Sequence, residues 1–216
     1  MVEKVYVTYN DVHKLCQEAA PRMLSTLQPQ LMIAIGGGGY VPARILRSFL
    51  KQPGHPNIPI QAIGLSLYEE LPVTDTANST TGAVDKIGTK VTRTQWLDFS
   101  SLGGMENLVG KRILIVDEVD DTRTTLEYAV KELQKDIEAV TKKLGREGEK
   151  TEFSIFVLHN KDKPKKGTLP TDMTDNSRYL AARTVGDVWI CYPWEATDID
   201  EHDQLAADQK NKTATA

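Results

Sequence analysis

The stretch 113–126, ILIVDEVDDTRTTL, decides the fold. Residues 113–116 are four apolar positions in a row, which reads as a strand buried on both faces. Four carboxylates follow within five positions: Asp117, Glu118, Asp120 and Asp121. The hydroxyls of Thr122, Thr124 and Thr125 come next, and a helix is predicted over 124–145, where Leu126, Val130, Leu133, Ile137, Val140 and Leu144 step by four and three. A turn that enters a helix presents outward N–H groups and the positive end of a dipole, so it attracts an anion. Threonine hydroxyls add donors. Adjacent carboxylates suit sugar hydroxyls or a divalent cation. A phosphorylated ribose needs both ends. The plainer alternative, an acidic turn with a threonine N-cap, leaves four crowded like charges without a reason.

Working outward, 31–35 is a second buried strand that runs into the glycines 36–39. A helix follows, with Pro42 as its first residue. Further strands are expected at 60–68, 91–99, 153–158, 179–182 and 188–192. Near the N-terminus, Asn10 is a candidate cap for a helix carrying Val12, Leu15, Cys16, Ala19, Met23 and Leu27, with a break at Ala20 before Pro21. Strands alternating with helices imply right-handed βαβ units, an α/β fold and a parallel sheet, with ligands beyond the carboxyl ends of the strands. The segment 69–89 has no apolar periodicity and reads as a lid or disorder. Residues 205–216 are small and polar and read as a disordered tail, so the domain is 1–204.

The chain has 216 residues, enough for one domain, and a formal net charge of −4, which argues against a nucleic-acid coat protein. It shows no apolar run long enough to span a membrane and no basic-then-apolar leader. Cys16 and Cys191 are far apart, which excludes a disulfide framework and a cysteine zinc site and points to a reducing, cytoplasmic location. The four histidines show no metal spacing. Gly36–Gly39 is either a tight turn or a loop that lets backbone approach a pyrophosphate. It is neither G-x-G-x-x-G nor a GK[ST] loop, which disfavours dinucleotide oxidoreductases and P-loop NTPases.

The run of four apolar residues, two acids, two variable residues and Asp121-Thr122 resembles the phosphoribosyl pyrophosphate (PRPP) motif of type I phosphoribosyltransferases. IAIGGGGYVPARIL (33–46), SLYEEL (66–71), RTQWLDF (93–99), FVLHNKDKPKK (156–166) and WICYPWE (189–195) extend the resemblance to the fungal hypoxanthine-guanine phosphoribosyltransferases and their xanthine-using relatives. The order Asp117-Glu118 departs from the Glu-Asp of many members. Arg123 stands where many have glycine, which speaks against a left-handed backbone there and offers one more phosphate cation.

The resemblance implies a mostly parallel sheet flanked by helices, with a small hood built from about 160–204 and an N-terminal contribution. It implies that Asp117 and Glu118 hold the ribose hydroxyls, directly or through Mg2+ or water. Asp121 would sit near the purine N7 as acid/base or electrostatic partner, and Asp121, Thr122, Arg123, Thr124 and Thr125 would cradle the 5′-phosphate. Gly36, Gly37 and Gly38 would form the pyrophosphate loop, often with a non-proline cis peptide, and Arg44, Arg47 or both would reach the pyrophosphate. Ser66 and Tyr68 would belong to a loop closing over PRPP. Lys161, with Lys163 as alternative, would donate to the purine O6. Trp189 would stack on the base, Ile190 would offer backbone carbonyls and Glu195 would face the C2 edge. The implied reaction makes purine nucleoside monophosphates and pyrophosphate from PRPP and a 6-oxopurine, in a homodimer, with no nucleic-acid or membrane partner. Two rivals are a regulator that keeps the fold without turnover and an orotate enzyme; Tyr68 and Trp189 argue against the first, and 189–195 against the second.

Overall fold

A computed structural model describes residues 3–67, 91–97 and 105–214. Its strands are β1 (Lys4–Tyr6), β2 (Leu31–Gly36), β3 (Ile60–Leu67), β4 (Val91–Gln95), β5 (Arg112–Asp120), β6 (Glu152–Lys161), β7 (Tyr179–Val185) and β8 (Trp189–Cys191). Six of them form one sheet in the order β4-β3-β2-β5-β6-β7, parallel throughout except for β3–β4. The helices are α1 (Tyr9–Arg22), α2 (Tyr40–Phe49), α3 (Thr124–Leu144), α4 (Thr171–Asp175) and α5 (Ile199–Ala214).

Continuous apolar strands need cover on both faces. Met32, Ala34, Leu114, Val116, Phe156 and Leu158 pack with α1 and α2 on one face. Ile33, Ile35, Ile113, Ile115, Ile155 and Val157 pack with α3 on the other. Chain order moves leftward from β2 and rightward from β5, so the two adjacent strands β2 and β5 flank a topological switch point, the usual crevice for a ligand.

Several expectations shift. Thr8, not Asn10, caps α1: its Oγ1 accepts from the Asp11 amide at 3.1 Å, and Asp11 Oδ2 accepts from the Thr8 amide at 3.1 Å. Pro21 lies inside α1 without ending it at Ala20, and the irregularity follows as a π-helical turn, Met23–Leu27. Pro42 is the third residue of α2, not the first, still within the turn whose N–H groups need no helical partner. Strand β5 does not stop at the first carboxylate. It pairs with β6 through Asp120 opposite Asn160, so Asp117, Glu118 and Asp120 stand on a rigid strand and only 121–123 turn.

The tail expected to be disordered is mostly helix α5. Its inward face is made of residues that a hydropathy pattern overlooks. His202 and Ala206 are buried, His202 Nε2 meets the Val7 carbonyl at 2.9 Å, and Gln209 bonds the Tyr6 amide (2.9 Å) and the Lys4 carbonyl (3.0 Å). Strand β1 in turn pairs in parallel with β8. The span 160–204 is not one separate unit, because β7 is an edge of the main sheet and Met173 of α4 packs in its core. Among the described residues no helix is long and apolar enough to cross a membrane.

Candidate active site

At the switch point lies a cleft of about 1300 Å3, lined by Gly36–Gly38 on the β2 side and by residues 117–127 on the β5 side. Lys163, Lys166, Trp194 and Glu195 also line it. The glycines are there for close approach. A Cβ on Gly38 would fall 2.1 Å from the Glu118 carboxyl carbon, and one on Gly39 2.3 Å from the Val116 carbonyl oxygen. The Gly36–Gly37 peptide is cis, as the resemblance implies.

Asp117 accepts the Glu118 amide at 2.8 Å. Burial, aided by the neighbouring charges of Glu118 and Asp120, pushes its carboxyl up to about 8 despite that bond. Burial likewise pushes Glu118 up to about 7; Glu195 adds to the shift and a hydrogen bond from Trp194 opposes it. Trp194 Nε1 donates to Glu118 Oε2 at 2.9 Å, and its ring stacks on Tyr192 at 4.8 Å. The Tyr192 hydroxyl donates to the Glu118 carbonyl at 3.0 Å and meets His159 Nδ1 at 2.9 Å. That hydroxyl has one proton to give, so His159 donates from Nδ1. Burial first, then Arg183, pushes His159 down to about 4, which keeps its ring neutral. Among the described residues no group of three or more His, Cys, Asp or Glu is arranged to hold a metal ion.

Asp121 stands at the turn with its side chain part exposed, facing Lys163 Nζ at 2.7 Å and Lys161 Nζ at 3.3 Å. Burial pushes its carboxyl up, and the two ammonium groups more than reverse this, leaving it below its ordinary value. No backbone acceptor takes the amides of Asp121, Thr122 or Arg123 among the described residues. Thr122 and Thr124 hydroxyls share a hydrogen bond of 3.0 Å beside them. Arg123 corrects the sequence reading twice. Its backbone is left-handed, with φ 68°, despite the side chain. Its guanidinium is turned onto Asp120 Oδ2, at 2.9 Å from Nε and 2.8 Å from Nη2, instead of standing free as a phosphate cation.

Lys163 also bonds Asp187 at 2.9 Å, and Asp187 is two residues before Trp189, which brings β8 beside the acid loop. Trp189 is 58% exposed, Ile190 is buried, and neither lines the cleft; Trp194 and Glu195 do. Arg44 is not brought to the site. Ala43 and Leu46 turn the buried stripe of α2 to the sheet, and Arg44 is left exposed, donating to Ser48 at 3.0 Å. Arg47 does not line the cleft either. Ser66 falls in β3, while Tyr68 and the segment 69–89 lie outside the described residues. Sequence reasoning missed Trp194, Tyr192 and His159 as the support of Glu118, and Lys165 and Tyr179 as that of the acid loop. The aromatic density of 189–195 was the one available signal for the first group; the second has none.

The comparisons agree with this geometry. A fold whose switch point sets a glycine loop against an acid pair and a threonine-rich anion turn is that of a phosphoribosyltransferase. The chain is 58% identical over 204 residues to a hypoxanthine-guanine phosphoribosyltransferase of Schizosaccharomyces pombe, covering 94% of this chain and 95% of that one. It is 56% identical over 209 residues to xanthine phosphoribosyltransferase 1 of Saccharomyces cerevisiae, covering 96% and 97%. It therefore belongs to the purine phosphoribosyltransferase family. Among solved structures, a hypothetical protein from Neisseria gonorrhoeae with bound ppGpp matches with a TM-score of 0.71 at 35% identity, over 97% of this chain and 98% of that one. No family model matches the sequence.

Proposed function

We propose that this chain transfers the 5-phosphoribosyl group of PRPP to hypoxanthine or guanine, giving IMP or GMP and pyrophosphate. One observation carries the reading: the Asp117-Glu118 pair, the unpaired amides of the 121–123 turn and the glycines 36–38 open into a single cleft. The turn holds the 5′-phosphate and the acid pair holds the ribose hydroxyls, so C1′ stays still while the base meets it. Gly36–Gly38 lets backbone reach the pyrophosphate. Asp121, kept anionic by its lysines, faces the purine N7 and steadies positive charge there. Lys161 has longer contacts (3.3 and 3.9 Å) than Lys163 (2.7 and 2.9 Å) and so has more donor capacity to spare for O6, while Lys163, the one of the two that lines the cleft, is the alternative. Trp189 offers an exposed face for the base. Ile190 offers its backbone, and Glu195 faces C2. Strands β1 and β8 with α5 form the hood.

The donor set fits Mg2+. Asp117 and Glu118 are adjacent carboxylates lining the cleft beside Gly36–Gly38, and Mg2+ is commonly held by one or two carboxylates plus substrate phosphates. When bound it neutralises the leaving pyrophosphate. The bound ppGpp of the Neisseria gonorrhoeae protein supports a cleft that takes a purine nucleotide. A cytoplasmic homodimer completes the reading, with Cys16 and Cys191 kept reduced. The xanthine phosphoribosyltransferase at 56% identity supports the alternative reading, in which xanthine is the base, and the turnover test decides between the two.

The test is turnover with PRPP, Mg2+ and each of hypoxanthine, guanine, xanthine and adenine. Adenine presents an amino group where Lys161 needs an acceptor, so it should be used at least about tenfold less well than guanine. The acceptors at Ile190 and Glu195 suit the guanine amino group and leave xanthine the poorest of the three 6-oxopurines. Xanthine beating guanine would overturn the account of C2, and no nucleotide from any base would overturn the reaction.

A further inference from the structure

The turn 121–123 is held from behind. Lys165 Nζ donates to the carbonyls of Asp120 (2.7 Å), Asp121 (3.0 Å) and Lys161 (2.8 Å). The amides of Lys166 and Gly167 both donate to the Thr122 carbonyl at 3.0 Å. In a trans peptide, C=O and the following N–H point in opposite directions. With the carbonyls of Asp120, Asp121 and Thr122 turned back, the amides of Asp121, Thr122 and Arg123 are turned toward the cleft. That arrangement requires Arg123 to remain left-handed, a conformation disfavoured for a residue with a Cβ. Its side chain compensates. Asp120 has no exposed side-chain surface, and its Oδ2 gathers both Arg123 contacts and the Tyr179 hydroxyl at 2.7 Å. The guanidinium also lies 5.0 Å above the Tyr179 ring.

We propose that Asp120 and Arg123 are a positioning pair: their ion pair, braced by Tyr179, pins the left-handed turn and so aims the amides of 121–123 at the 5′-phosphate. Arg123 acts through Asp120 and does not itself bind the phosphate. This rests on the function proposed above. A glycine at 123 adopts the same backbone freely, but it leaves Asp120 with only the longer Lys165 contact, 3.6 Å from Oδ1, and the turn without its tether. A lysine keeps the charge and loses the two-point fork.

The experiment is titration of the full chain with GMP and with guanosine, which differ only in the phosphate. The wild type should prefer GMP, and a wild type that binds both alike overturns the site reading itself. Arg123→Gly, Arg123→Lys and Asp120→Asn should each reduce the GMP-to-guanosine affinity ratio about tenfold, the effect of one misplaced charge-assisted hydrogen bond. The Asp120→Asn/Arg123→Gly double variant should lose no more than either single change. Tyr179→Phe removes one hydroxyl outside the cleft lining and should lower the ratio a few-fold, which covers the case in which the charge variants do not fold. Multiplied losses in the double variant would show that Arg123 touches the phosphate directly and would overturn the proposal. An unchanged ratio in Tyr179→Phe or in the folded single variants would overturn it too, by reducing the pair to a fold contact.

Discussion

The indole N–H of Trp194 donates to Oε2 of Glu118 at 2.9 Å, across 76 positions of sequence. This bond ties the segment after β8 to the acid pair on β5 and holds the Glu118 carboxylate beside Gly38. Trp194→Phe keeps an aromatic ring on Tyr192 and deletes only the donor. A hydrogen bond to a charged group is worth about 1.5–3 kcal/mol, so kcat/KM for PRPP should fall about tenfold to a hundredfold. The bond also lowers the pKa of Glu118, so its loss should move the acidic limb of the pH–rate profile upward. An unmoved limb with full activity would mean that the indole plays no part in setting the carboxylate.

Stability should fall with pH in a defined window. Burial holds Asp117 up at about 8 and Glu118 at about 7, against ordinary values of 3.8 and 4.5. The folded chain thus keeps protons that the unfolded chain has released, and stability declines as pH rises through that interval. Buried His159, pushed down to about 4, works the other way only below its ordinary 6.5. Between about pH 6.5 and 8 the two acids dominate, and Tm should drop by a few degrees. Asp117→Asn should remove most of that slope; a variant with the wild-type slope would place the titration elsewhere.

Trp189→Ala should weaken base and nucleotide binding and leave PRPP binding nearly intact. Stacking on an aromatic platform is worth roughly 1–3 kcal/mol, or about tenfold to a hundredfold. Because Trp189 is 58% exposed, Tm should scarcely move. Equal losses for PRPP and nucleotide would make the ring a packing group instead.

Gly38→Ala should abolish PRPP use without unfolding the chain. The new methyl would stand 2.1 Å from the Glu118 carboxyl carbon, so the side chain must leave its place on Trp194. A variant with wild-type KM for PRPP would show that Glu118 has room to move.

Much of this was legible before the structure. The runs 31–35 and 113–116 and the periodic helix 124–145 carry strong local signals, and they place the switch point and both loops. The acid pair and the threonines follow from them. What was not legible depends on long-range pairing. Strand β5 continues past Asp117 and Glu118 to Asp120 because β6 pairs with Asp117, Val119 and Asp120, which no apolar pattern announces. Helix α5 buries a histidine and an alanine against β1, so its inward face looks polar in sequence. The left-handed Arg123 depends on Asp120 and Tyr179, and Tyr179 sits 59 positions from Asp120. Arg44 was misplaced because its phase on α2 is set by Ala43 and Leu46 facing the sheet.

The most direct measurement is kcat/KM for PRPP in Asp117→Asn and Glu118→Gln beside the wild type, with guanine as the second substrate. If the acid pair holds the ribose, each variant loses charge-assisted bonds of about 1.5–3 kcal/mol, and kcat/KM falls about tenfold to a hundredfold in both. Wild-type kinetics in both single variants would contradict the assignment of this cleft to PRPP.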